Sequence, residues 1–308
     1  MLPRVGLNNT EKLVMQSKRA VLLIIAALLA ALVCWTSGSL LIAPARATLP
    51  TIPVGAEPVA FGSNSGATVR GWYFANTNAT TSIVLMHGVR GNRADLTERA
   101  LFFKGLGFNV LTFDFQAHGE SSGEHITFGK LESLDAIAAV RYAHSLLPNQ
   151  PVIALGVSLG GAASLLAGAQ LDVDALIVES VYSDIEQAIE NRLNKRIPHS
   201  GFLAPLLLWQ LSPRLGIEAT ELSPLAGAAQ INFPTLVLSG SEDRHTLLWE
   251  TRAIHQAIPA AKNLHIFNGA SHQNLHRFDP LAYRTVVINF ICQTVELPTC
   301  QGTIGQPR

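Results

Sequence analysis

Seven short apolar runs, TVRGWYF, SIVLMHG, NVLTFDF, PVIALGVS, ALIVESV, PTLVLSG and NLHIFNG, punctuate the chain from Thr68 to Gly269. Between most of them lie stretches long enough for a helix: Arg93 to Leu106, Lys130 to Leu147, Leu159 to Ala169, Leu247 to Ala257 and, after the last run, Pro280 to Cys292. Strand-like runs that alternate with helix-length segments are the pattern of a mostly parallel sheet with helices on both faces, because a parallel strand pair needs a crossover of a dozen or more residues. The exception is residues 183–230, which contain IEQAIENRL and FLAPLLLWQL, are broken by prolines and hold no convincing strand. They are expected to form a small helical cap inserted over the sheet.

A second constraint sits at the N-terminus. The run VLLIIAALLAALVCW follows Lys12, Lys18 and Arg19, and no charged residue occurs from Ala20 to Ala45. About 20 apolar residues suffice to span a bilayer as a helix, so a retained signal-anchor fits. Ala45-Arg46-Ala47 also reads as an A-x-A cleavage site, and a cleaved signal peptide remains the alternative. In either case residues 1–47 are set apart from a domain of residues 48–308, and the positive flank directs that domain out of the cytoplasm, to the periplasm in a bacterium. Residues 146–171 are equally charge-free. They are read as strand, tight turn and buried helix instead of a second span, because a β-branched run gives way at Gly156, Gly160 and Gly161 to small helix-compatible residues.

Gly156-Val157-Ser158-Leu159-Gly160 is a G-x-S-x-G pentapeptide between one such strand and one such helix. A serine at a sharp strand-to-helix turn needs small neighbours, so that the chain can double back and leave the hydroxyl exposed at the carboxyl edge of the sheet. The N–H of Leu159 then points towards a developing oxyanion.

With this turn the sequence resembles the α/β-hydrolase superfamily, over nearly all of Glu57 to Ile291. The match is nearest to the lysophospholipase-like and serine-aminopeptidase-like branch, by DFQAHGESSG and SPLAGAAQINFPTLVLSGSED. The resemblance implies that His87-Gly88-Val89-Arg90-Gly91-Asn92 is the oxyanion loop, with the Val89 N–H as second donor. It also implies that Asp114 to Ser121 is the structural D-x-x-G-H-G-x-S turn, with Ala117 in place of the usual glycine. Gly240-Ser241-Glu242-Asp243 and Gly269-Ala270-Ser271-His272 follow late strands, where the family carries its acid and base, and the order Ser158, Asp243, His272 is the one this fold uses. Glu242 and Asp184 stay open as alternative acids. The implied function is a serine hydrolase that cleaves carboxylic esters or related acyl bonds through an acyl-enzyme, with no cofactor and no metal. A peptidase or acyltransferase with the same triad, and a catalytically idle binding scaffold, are the rivals.

Other residues carry weaker readings. His87 and His118 are expected to be hydrogen-bonded turn residues, and His272 with His276 lacks the Glu of a zinc H-E-x-x-H. Cys34 lacks the small preceding residue of a lipoprotein and is expected to be buried, while Cys292 and Cys300 can bridge in an oxidising compartment. The Asn78-Ala79-Thr80 sequon matters only in a eukaryotic secretory setting. Phe202, Leu203, Leu206, Leu207, Leu208, Trp209 and Leu211 either pack the cap onto the body or line an acyl pocket and touch lipid. Expected partners are therefore a small ester or lipid-like substrate and, through the N-terminal segment, a membrane. Nucleic acid is not an expected partner, because the 22 basic and 22 acidic side chains cancel and the bulk charge gives no reason for it. Residues 1–47 hold five basic and one acidic residue, so the body carries 17 basic and 21 acidic, a net charge of −4.

Overall fold

The computed structural model describes residues 9–49 and 51–295. These residues divide into two units, one ending at Leu41 and the other beginning at Ile42. The first is the greater part of helix α1 (Asn9–Ile42). Leu13–Ile42 is 30 residues long and apolar enough to cross a membrane by length and composition. At 1.5 Å per residue that is about 45 Å. Cys34 is half-buried on this helix, where burial was expected.

The body carries an eight-stranded sheet. In chain order its strands and the major helices are β1 (Glu57–Gly62), β2 (Thr68–Phe74), β3 (Ser82–Met86), α2 (Thr97–Gly105), β4 (Asn109–Phe113), α3 (Lys130–Leu146), β5 (Val152–Val157), α4 (Leu159–Ala167) and β6 (Ala175–Glu179). There follow α5 (Ile185–Arg196), α6 (Ala204–Leu208), α7 (Leu211–Leu215), α8 (Pro224–Ala228), β7 (Thr235–Gly240), α9 (Leu248–Ala257), β8 (Lys262–Phe267), α10 (Leu275–Phe278) and α11 (Pro280–Thr294). The strand order is β8-β7-β6-β5-β3-β4-β2-β1, with the β1–β2 and β2–β4 pairings antiparallel and the remaining pairings parallel.

Alternation within the strands divides the core between two faces. Ile83 and Leu85 join Ile153, Leu155 and Ile177 on one side, beneath Phe103 of α2 and Tyr283 and Val287 of α11. Val84 and Met86 join Leu111, Phe113 and Ala154 on the other, beneath Val140 of α3 and Ala162 and Leu165 of α4. Because both faces are covered, the central strands read as unbroken apolar runs, and each fully buried Val, Leu, Ile or Phe contributes roughly 1.5–3 kcal/mol. Residues 146–171 accordingly hold β5 and α4.

Two sequence expectations change. The sheet has an eighth strand, β1, which the apolar runs did not reveal because EPVAFG contains a proline and lies at the edge with a largely exposed pattern. The body also begins at Ile42, before the expected boundary at 47/48. Ala45 and Arg46 pair in parallel with His118 and Gly119, and the Arg46 guanidinium donates to the carbonyls of Ser121 and Gly123. The Ile126 N–H donates to the carbonyl of Ile42 at 2.8 Å. At the other end of the body Cys292 is disulfide-bonded, whereas Cys300 lies outside the described residues.

Candidate active site

Ser158 sits between β5 and α4 with φ 50° and ψ −107°, a left-handed conformation that an L-residue holds only under constraint. The constraint is visible on both sides of it. Its N–H donates to the Glu179 carbonyl at 2.8 Å, and a Cβ added to Gly160 would lie 2.5 Å from the carbonyl oxygen of Met86, too close for any other residue. The motif glycine thus lets α4 start hard against β3.

The loop after β3 faces this turn. A Cβ on Gly88 would be 3.6 Å from that of Ser158. Neither the Val89 N–H nor the Leu159 N–H has an acceptor among the described residues. His87 anchors the loop: Nδ1, assigned as the protonated nitrogen, donates to the Gly88 carbonyl at 2.8 Å, and Nε2 accepts the Phe115 N–H at 3.1 Å. Burial, reinforced by nearby His118, pushes its pKa down to about 3, so the ring is neutral. His118 lies in the same turn, where its Nδ1 meets the Gln116 carbonyl at 2.8 Å. Both histidines therefore hold backbone, as the sequence suggested.

The candidate acid and base come from the ends of β7 and β8. A Cβ on Gly240 would lie 2.2 Å from the Ala270 carbonyl oxygen, so the missing side chain allows the two loops to cross. At that crossing Asp243 accepts His272 Nδ1–H at 2.7 Å. Its other bonds come from the Thr246 hydroxyl at 2.8 Å and the N–H groups of His245 and Thr246 at 2.8 and 3.0 Å. Burial opposes ionisation of Asp243. The bonds from His272, Thr246 and His245 outweigh it and hold the pKa at about 2. An imidazole bonded through Nδ1 to a buried carboxylate is fixed in the tautomer whose Nε2 can accept a proton. The other candidate acids are elsewhere: Glu242 is exposed, and Asp184 caps α5 by accepting the Gln187 N–H. Ser158 and His272 share no hydrogen bond, and such bonds often tighten only when substrate binds.

Several supporting residues left no trace in the sequence. Arg99 on α2 is fully buried and donates to both Glu179 oxygens at 3.0 and 2.8 Å, and to Asn274 Oδ1 at 3.0 Å. Tyr283 donates to the same Glu179 at 2.5 Å. Since Glu179 receives the Ser158 N–H and Asn274 caps α10 just after His272, one network braces both the elbow and the histidine loop. His245 was also missed; its ring lies 4.9 Å from that of His272, tilted by 31°. His276, which the sequence offered as a second metal ligand, packs instead against Phe102 and Tyr283. Among the described residues no group of three or more His, Cys, Asp or Glu side chains is arranged to hold a metal.

Residues 77–225 match the family model for serine aminopeptidase, S33. An esterase of Pyrococcus furiosus superposes with a TM-score of 0.69 at 20% identity, over 83% of this chain and 99% of that one. The chain has the α/β-hydrolase fold. It is 27% identical to the uncharacterized protein YqkD of Bacillus subtilis over 73% of this chain and 76% of that protein. It is 24% identical to the lysophosphatidylserine lipase ABHD12 of Danio rerio over 74% of this chain, which spans 59% of that protein.

Proposed function

We propose that this protein is an α/β-hydrolase that cleaves carboxylic esters by acyl transfer to Ser158, with His272 as base and Asp243 as the group that orients it. The observation that carries the reading is the 2.7 Å bond from His272 Nδ1 to the buried Asp243, on the sheet edge that also carries the strained Ser158. A serine hydroxyl is a weak nucleophile at neutral pH and needs such a base. Ser158 Oγ attacks the ester carbonyl while His272 Nε2 takes its proton. The tetrahedral oxyanion is held by the N–H groups of Val89 and Leu159, whose lack of other acceptors suits the task. His272 then gives the proton to the departing alkoxide. Water, deprotonated by the same Nε2, releases the acid and restores Ser158.

The family model, a serine aminopeptidase, favours a second reading in which the same groups cleave an amide. Comparison of 4-nitrophenyl esters with the matched 4-nitroanilides separates the two. For the ester reading, 4-nitrophenyl acetate should release a burst of about one equivalent of 4-nitrophenol per enzyme before steady turnover, as deacylation lags acylation. Turnover without a burst, unaltered in Ser158→Ala, would overturn it.

The setting is part of the proposal. Helix α1 serves as a membrane anchor with the body outside the cytoplasm, and the pairing of Ala45 and Arg46 with the 114–121 turn supports its retention, because cleavage after Ala47 would remove this edge of the fold. Lipophilic esters suit the helical segment over the sheet: Phe202 and Trp209 are 76% and 71% exposed, whereas Leu211 is buried against Ile185, Ile217 and Leu222. A lipid substrate also accords with the name of the zebrafish relative.

A further inference from the structure

Four Lys or Arg side chains among the described residues form salt bridges with carboxylates, and others do not. Arg93, Arg99, Lys130 and Arg277 each sit on a carboxylate: Asp114 and Glu120, Glu179, Glu221 and Glu98 respectively. Arg192 and Lys195, on the last two turns of α5, form no ion pair. The Arg192 side chain donates only to the Ala188 carbonyl of its own helix, at 2.7 Å. Lys195 Nζ lies 2.5 Å from His245 Nε2, and the face of His245 lies 4.9 Å from the ring of His272. Four residues before Lys195, on the same helical face, Asn191 donates to the His245 carbonyl at 3.2 Å and to the buried Glu250 at 2.7 Å. The end of α5 is thereby fastened to the loop that carries Asp243. A cationic contact chain runs from the helix to the base.

A basic residue at a helix C-terminus is common because the macrodipole favours it. That account does not explain where this ammonium points, since Lys195 reaches across to a ring on another loop instead of to the last carbonyls of its helix. No carboxylate of its own segment neutralises it, and the nearby ones, Asp243 and Glu250, whose charges act on Arg192, are engaged by His272 and by Asn191 and Ser183 respectively. From Asn191 to Ile217 the chain has four basic side chains and no acidic one, although residues 48–308 as a whole carry a net charge of −4. The contact with His245 needs its Nε2 as acceptor and therefore a neutral ring. Burial first, then His272, Lys195 and Arg192, keep that ring neutral by lowering its pKa to about 4.

We propose that Arg192, Lys195 and His245 form a subsite for an anionic group of the substrate, a carboxylate or a phosphate, beside His272. The inference rests on the Ser158 reading above and adds to it the charge of the substrate. An anion there gains charge-assisted hydrogen bonds from Lys195 and Arg192. It also attracts His272 when that ring carries the proton of Ser158, so the subsite acts in the transition state as well as in binding. Lys195 is a specificity residue in this scheme, and His245 is a positioning residue that aims it.

The test is a ratio measured on the full-length chain in neutral detergent. Two matched pairs of esters are compared: 4-nitrophenyl butyrate with mono-4-nitrophenyl succinate for a carboxylate, and a monoacylglycerol with the corresponding monoacylglycerol phosphate for a phosphate. Wild type should show higher kcat/KM for the anionic member of at least one pair, and the pair that responds identifies the group. In Lys195→Gln that ratio should fall roughly tenfold, the worth of one hydrogen bond to a charged group at a partly exposed site. It should recover in Lys195→Arg, stay at the wild-type value in the distant control Arg284→Gln, and shrink as salt is raised. Ser158-dependent turnover with no anionic preference, or with a ratio unchanged in Lys195→Gln, would overturn this proposal alone. Turnover that survives Ser158→Ala would overturn both this proposal and the reading beneath it.

Discussion

The sheet body and the helical segment between β6 and β7 treat charge in opposite ways. In the body, Arg99 and Glu179 are both almost fully buried and satisfy one another with Tyr283 and Asn274, and Arg93 does the same with Asp114. In the helical segment, Arg192 and Lys195 form no salt bridge among the described residues, Arg192 donating to the Ala188 carbonyl and Lys195 lying against His245. The contrast separates two uses of a cation. A buried charge must be paired or it destabilises the fold, so the body's arginines brace backbone and hold catalytic loops in register. A half-exposed cation needs no partner to be tolerated, and it remains available to a ligand.

Mutations at Asp243, where the two regions meet, should have the largest effect. Asp243→Asn should lower kcat by about 10³- to 10⁴-fold through loss of the imidazole tautomer and of its charge stabilisation, with the fold retained by circular dichroism. An effect below tenfold would mean that His272 is oriented by something else. Next comes the body's buried pair. Arg99→Met strands the Glu179 carboxylate and should cost about 3–5 kcal/mol in urea unfolding, whereas Lys195→Gln should stay within about 0.5 kcal/mol. Equal losses would erase the distinction between bracing and available cations.

Asp135 sharpens the comparison, because it is a buried carboxylate of the body with no cation. It accepts the Gln116 N–H at 2.7 Å and the Ser65 hydroxyl at 2.5 Å, yet burial dominates and raises its pKa from 3.8 to about 6. The folded state therefore holds this proton more tightly than the unfolded chain does. Its stabilising contribution is complete below pH 3.8 and is lost as pH rises to about 6. Relative to Asp135→Asn, which does not titrate, wild type should lose up to about 3 kcal/mol between pH 4 and 7 in denaturant melts. A constant difference would place the carboxylate in a wetter site. The smallest effect belongs to Ala117, which occupies a left-handed position at φ 57°. Ala117→Gly removes strain but adds unfolded-state entropy, so a net gain of about 1 kcal/mol or less is expected from thermal melts.

How far the molecule could be read from its sequence follows the same division. The elbow was legible because close backbone approach at Gly156 and Gly160 permits no other residue, so the geometry is written in residue types. The loops of Asp243 and His272 were legible from their places after late strands, but the bond that joins Asp243 to His272, with Glu242 and Asp184 outside it, was not. The strand Glu57–Gly62 was hidden by its proline and its exposed edge. The Arg99–Glu179 brace joins residues 80 positions apart, and Lys195 meets His245 across 50, pairings that no local pattern encodes. The apolar stretch from Phe202 to Leu211 could not be divided into core and surface by composition, because Leu211 is buried and Trp209 is exposed within two residues of each other.

Everything proposed about chemistry depends on Ser158 being the nucleophile. The direct measurement is to treat the full-length protein with a fluorophosphonate, digest it and locate the adduct by mass. A single adduct on the peptide containing Ser158, absent from Ser158→Ala, is the predicted result. Equal labelling of wild type and Ser158→Ala, or an adduct on another residue, would contradict the account.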